Sequence, residues 1–247
     1  MTSSLATALL LAVSSGCSDT NAAVPPSTTD DPTPRTPDPG CVAPSGVSNS
    51  PGTVAEAVSL INALPKPLSL PCFLQSLARP LPLYATNSLF SAQPANGPRS
   101  PRIFLSEGSM LMSVVPEGTG AALLEFGEQR PDFRSLKAEL TFPIQGPVAA
   151  SAPFDGVMYN DQMTTCAGCH AAEATDASVS PLRAFVSQSL RPATADRVSL
   201  ASLQNENAIC DPKAEAARCA MLDGLLGWGS VTDFDFPFGM STFGGAQ

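Results

Sequence analysis

Between Ser135 and Phe142 the chain alternates: Leu136, Ala138, Leu140 and Phe142 fall on one face, Lys137, Glu139 and Thr141 on the other. That period of two marks a half-buried strand. A lone strand is not stable, and the preceding stretches supply neighbours. Arg102–Ser106, Met110–Val115 and Ala121–Phe126 read as strands, with a turn at Pro116-Glu-Gly-Thr-Gly120 between the last two. Met110 and Met112 share one face and are assigned to the core. Helical signals are few. Thr53-Val-Ala-Glu56 is a capping box, Val54, Val58 and Ile61 recur at helical spacing, and Pro65 ends the run. A second short helix is predicted over Pro71–Ala78. Downstream, Leu182–Leu190 reads as a strand, and Asp211-Pro212 opens a predicted helix to about Leu226, stopped by Gly227. The predicted fold class is α+β: an antiparallel, sandwich-like β-rich core with a few short helices, followed by a C-terminal segment with its own role.

The start of the chain reads differently. Met1 to Gly16 carries no charge, and Leu5–Val13 is an apolar run of signal-peptide length, too short to span a bilayer. Ser14-Ser15-Gly16-Cys17 resembles the lipobox of bacterial lipoproteins, which implies lipidation of Cys17 as the mature N-terminus. Eight prolines then fall between Pro25 and Pro51, among Thr, Ser, Asp, Asn and Gly. Such a stretch buries too little apolar surface to offset its ordering entropy, so an extended, partly polyproline-like tether is expected. The predicted organisation is a signal peptide (1–16), a lipid-anchored linker (17–52), a β-rich region with N-terminal helices (53–152) and a last segment (153–247). The net charge is −9 with 14% charged residues. An acidic balance argues against nucleic acid and against anionic lipid as direct partners, leaving the membrane to be reached through the lipid anchor only. The expected location is outside the cytoplasm, periplasmic or on the cell envelope.

The last segment contains Cys166-Ala-Gly-Cys169-His170, and His170 is the only histidine in the chain. Two thiols at this spacing can each form a thioether to one of a porphyrin's two vinyl groups, and the following imidazole can then reach the iron. The pentad resembles the attachment site of c-type cytochromes. The resemblance implies one covalent haem c, bonded to Cys166 and Cys169, with His170 as proximal ligand. It covers the pentad and little else: Pro153-Phe-Asp-Gly-Val-Met-Tyr-Asn-Asp161, just upstream, does not read as the helix that ends in this motif in small cytochromes c, so their fold is not carried over. Three other uses of C-x-x-C stay open. A redox dithiol would open a helix in a βαβ unit; Thr164-Thr165 can cap a short helix, but no βαβ pattern surrounds it. A structural zinc site needs a second ligand pair, and Cys210 and Cys219 are nine apart. A plain disulfide or idle thiols are the third use.

With Cys17 assigned to lipid and Cys166 and Cys169 to haem, four cysteines remain: Cys41, Cys72, Cys210 and Cys219. In an exported protein these read as two disulfides. Three pairings are possible; proximity favours Cys41–Cys72 and Cys210–Cys219, the latter tying the start of the C-terminal helix to its own third turn. Without a second histidine, the sixth iron ligand is methionine, a weaker donor, water or nothing. Met240, in Phe236-Pro-Phe-Gly-Met240 with aromatic neighbours able to wall a haem face, is the first candidate and Met221 the second. Met158 and Met163 follow; Met163, three residues before Cys166, would have to cross the porphyrin plane. The expectation is a monohaem c-type cytochrome that passes electrons to a redox partner at the bacterial cell envelope, a carrier rather than a catalyst, with no catalytic residue assigned. The alternatives are a haem-dependent catalyst or sensor with an open iron position, and a lipoprotein without haem whose sheet is a binding surface.

Overall fold

The alternating segment lies inside a sheet, and its apolar side faces a core made with helices. The structure, a computed structural model, describes residues 38–243; the expected signal peptide, Cys17 and the first part of the tether lie outside the described residues.

Helix α1 (Val54–Ala63) begins where Thr53 Oγ1 accepts the Glu56 N–H at 3.2 Å. The Glu56 carboxylate turns back to the Gly52 N–H at 2.7 Å, one residue short of a reciprocal capping box. In α2 (Leu70–Ser76), Ser69 caps through the Cys72 N–H. A meander follows: β1 (Leu81–Thr86), β2 (Arg102–Glu107), β3 (Met110–Val114), β4 (Leu123–Gln129) and β5 (Arg134–Thr141), each antiparallel to the next.

The rest of the chain returns to both edges of this meander. After α3 (Ala152–Gly156) and a small ribbon of β6 (Met158–Asn160) with β7 (Met163–Thr164), β8 (Ala174–Thr175) and β9 (Phe185–Gln188) extend the sheet beyond β5. Next come β10 (Leu190–Arg191), then β11 (Arg197–Val198), which pairs with the far edge of β1. Helices α4 (Leu200–Ala208) and α5 (Ala216–Leu226) lead to β12 (Val231–Asp233), parallel to β1, and to β13 (Ser241–Thr242), parallel to β10. The result is a mixed α+β fold around one nine-stranded, largely antiparallel sheet. Residues 153–243 thus complete the sheet that 53–152 begins. No described helix is long and apolar enough to cross a membrane.

Four expectations change. The core is not a sandwich: Leu60, Ile61, Phe73, Leu74, Leu222 and Leu225 of α1, α2 and α5 share one buried cluster with Leu83, Leu105, Met112, Phe126 and Leu136 of the strands, so helices take the place of a second sheet. Residues 38–52 do not form part of the expected tether: they are packed on the body, with Cys41 bonded to Cys72 and buried, and Ala43 and Val47 against the core. Helix α5 starts at Ala216 because Asp211 closes a turn instead, its Oδ1 accepting the Lys213 N–H at 2.9 Å. The Cys210–Cys219 bridge therefore joins the end of α4 to the first turn of α5. Finally, β1 and α4 are new. Pro82 disguises β1 as a non-strand, and α4 buries only Leu203, so no apolar stripe marks it.

The Cys41–Cys72 bridge spans 31 residues. Loop closure of that length gives an expected loss of about 3–4 kcal/mol when both cysteines become alanine, read as a lower urea midpoint. An unchanged midpoint would mean that 38–52 holds its place without the bridge.

Candidate functional site

The polar side of the alternating strands is not a solvated face but the floor of a cleft. Strand register sets Phe104, Ser113, Glu125 and Glu139 in one cross-strand row and Leu111, Gly127 and Lys137 in the next. Over this floor pass the Thr165–His170 segment, Ser189–Pro192, Met240 and Phe243, enclosing about 1150 Å³ counted with the open mouth. Phe243 stacks on Phe90 with ring centroids 5.4 Å apart, and Phe236 packs edge-on against Phe104 at 5.2 Å. Gly127 adds no side chain to the middle of the floor; a Cβ there would sit in ordinary contact with Gln129 and Ser135 at 3.5 Å. A strand-interior glycine of this kind marks room for close approach to the backbone.

The floor is charged. Glu125 and Glu139 stand directly opposite each other, an unfavourable pairing that Arg102 relieves by bonding Glu125 at 2.5 Å. Burial, and then Glu125, push the Glu139 carboxyl above its usual range.

The cysteine–histidine motif is one tight turn. Thr165–Gly168 is a single 3₁₀ turn, and the N–H groups of Cys169 and His170 both donate to the Cys166 carbonyl, at 3.0 and 2.8 Å. Thr164 Oγ1 accepts the Cys166 N–H at 3.1 Å and donates to the Glu173 carboxylate, which also accepts the Thr164 N–H at 2.9 Å. Glu173 thus closes the turn from behind. The chain reverses at Ala172, a left-handed residue with φ of 56°.

His170 Nδ1 lies 2.7 Å from the Gln188 carbonyl. A carbonyl only accepts, so Nδ1 carries the proton and Nε2 keeps its lone pair for a ligand. Burial first, and the nearby Lys137 second, lower the His170 pKa to about 4. At neutral pH the ring is the uncharged species that binds metals. Lys137 is itself buried: its ammonium donates to Ser135 Oγ at 2.7 Å and lies 3.5 Å from His170 Nδ1 and 3.4 Å from the Gln188 carbonyl. Burial lowers its pKa to about 8 against the opposing pull of Cys166 and Glu125.

Met240 is buried and lines the same cleft. Its N–H donates to the Pro237 carbonyl at 3.1 Å, its carbonyl accepts from Arg191 Nε at 3.0 Å, and the next residue begins β13 alongside β10. Gly239, at φ 99°, is the residue that lets this turn form. Met221 lies elsewhere, in the core-facing stripe of α5 within the apolar cluster. Met158 and Met163 sit on the β6–β7 ribbon, and neither lines the cleft. Cys166 and Cys169 are free thiols at the cleft, while the other four described cysteines form the two bridges. The structure therefore gathers Cys166, Cys169, His170 and Met240 and leaves Met221 out. Lys137, Glu173, Gln188 and Arg191 join the site without any local sequence signal, since their roles come from segments that meet only in the fold.

Comparison with protein-family models, with curated proteins and with solved structures finds no match to this chain.

Arg130, in the turn between β4 and β5, holds Asp176 at 2.7 Å and so ties the segment after His170 to the sheet. Burial alone would raise the Asp176 pKa, but hydrogen bonds from Ser178 and Arg130 outweigh it and hold it at about 2. A depressed folded pKa adds stability above the unfolded value near about 4, which is lost as pH falls through about 2. In thermal melts across that window, Asp176→Asn should lose less stability than the wild type. Two parallel curves would remove Asp176 from the acid response.

Proposed function

We propose that this chain is a monohaem c-type cytochrome that carries electrons at a bacterial cell envelope, tethered by a lipid on Cys17. The observation that carries this reading is the convergence on one cleft of Cys166, Cys169, His170 and Met240, with His170 turned so that Nδ1 is committed to Gln188 and Nε2 is free. These residues suit the group that the motif implies. Cys166 and Cys169 would hold it through thioethers, His170 Nε2 would ligate the iron, and Met240, which lines the same cleft, would offer its sulfur as the sixth ligand. Phe104 and Phe243 line the cleft with aromatic rings. When bound, the haem supplies one-electron redox chemistry; Met/His ligation raises its potential and suits a carrier.

The competing uses of the motif are weaker in this setting. A redox dithiol needs a thiol of lowered pKa at a helix start, whereas Cys166 sits in a lone 3₁₀ turn and burial pushes its thiol up. A structural zinc site draws its ligands from two separated pairs, and the other cysteines of the C-terminal segment, Cys210 and Cys219, are bonded to each other.

Expression with the haem-attachment machinery provides the test. The wild type should stain for haem on a denaturing gel and show one covalent haem by intact mass, and Cys166→Ala with Cys169→Ala should lose both. An unstained, unmodified wild-type chain overturns the proposal.

The sixth ligand is read by carbon monoxide. The reduced wild type should resist it, and Met240→Ala should bind it with a changed absorption spectrum. Immediate binding by the wild type would move the assignment to an open iron position, and so to a catalyst or sensor.

A further inference from the structure

Lys137 is the least expected charge in the cleft. It lies in the interior of β5, is 7% exposed, and donates to Ser135 Oγ at 2.7 Å. It forms no ion pair with a described carboxylate; Glu125 and Glu173 act on it only from a distance. A buried ammonium without a counter-ion is destabilising. Neither neighbour needs a cation: Ser135 is a neutral hydroxyl, and the Gln188 carbonyl already accepts from His170 at 2.7 Å. A charge kept at such cost, against the one imidazole of the chain, points to a role at the site.

Lys137 and His170 Nδ1–H are both donors, so the 3.5 Å between them is an electrostatic contact, not a bond; what they share is the Gln188 carbonyl. We propose that Lys137 sets the reduction potential of the iron through His170, as a fixed positive charge behind the ligating ring, an inference that rests on the haem reading above.

Two effects act in the same direction. The oxidised iron carries one more positive charge than the reduced iron, so a nearby cation destabilises it more and raises the potential. The ammonium also draws on the carbonyl that accepts from Nδ1–H, which lowers the basicity of the imidazole and weakens its donation to the metal. Lys137 therefore acts as a positioning charge; the group that touches iron is His170.

The test uses the full-length, haem-loaded protein in three variants. Lys137→Met removes both charge and donor, Lys137→Gln keeps a neutral donor near Ser135 and Gln188, and Lys137→Arg keeps the charge. Midpoint potentials are taken by spectroelectrochemical titration at mildly acidic pH, with haem stain and unfolding midpoint as controls. Lys137→Met and Lys137→Gln should lower the potential by at least a tenfold change in the redox equilibrium constant, about 59 mV for one electron. Lys137→Arg should stay close to the wild type. A merely structural role would move the unfolding midpoint and leave the potential alone. A loaded neutral variant with an unchanged or raised potential overturns the proposal and leaves the cytochrome reading standing; a wild type that stains for no haem overturns both. Should Lys137→Met fail to fold, Lys137→Gln carries the same comparison.

Discussion

The hydrogen bond from His170 Nδ1 to the Gln188 carbonyl, 2.7 Å long, is the contact on which the cleft depends. It fixes which ring nitrogen is free and which way the ring points. It works because Gln188 is the last residue of β9, held in the main sheet through Arg134 on β5. The same residue donates its N–H to the Ala171 carbonyl at 2.9 Å, so the backbone beside the histidine is held as firmly as the ring. The 3₁₀ turn, the Thr164–Glu173 clamp and the left-handed Ala172 all deliver His170 to that one carbonyl.

β5 serves both faces of the sheet. Leu136, Ala138 and Leu140 go into the core, and Ser135, Lys137 and Glu139 go into the cleft. The apolar half settles where the strand lies, since a slip of one residue would place Lys137 and Glu139 in the core. With the register set by burial, the cleft residues have no freedom of position. On the cleft side Arg102 pairs with Glu125, while the Lys137 ammonium is left with a hydroxyl and no carboxylate partner. Stability comes from one face of the sheet and the chemistry of the site from the other.

That division explains what could be read in advance. The meander was legible because its apolar residues repeat at period two and its turns are marked by glycine and proline. The two bridges were legible from cysteine count and proximity, and the motif from its spacing. Lys137 and Glu139 were legible only as the polar side of a strand. Whether such a side meets water or another segment depends on where residues 153–247 return, and no local pattern carries that. Pro82 hid β1 for a similar reason, because a proline excludes a strand only if its missing N–H was needed. The sequence set Met240 before Met221 because aromatic neighbours surround it and because Met221 lies on the apolar stripe of a helix; the structure puts Met240 at the cleft and Met221 in the core.

The segment from Gln188 to Arg191 then acquires a weight out of proportion to its length. Its first residue holds His170, and through its side-chain amide donates to Ser241 at 3.1 Å. Its last residue donates to the Met240 carbonyl at 3.0 Å and accepts from the Phe243 N–H at the same distance. Both residues that would ligate the proposed iron are thus hung from one short stretch that leaves the sheet as β9 and joins the ribbon as β10. In the haem site proposed above, these hydrogen bonds would hold His170 and Met240 in position before the group is bound.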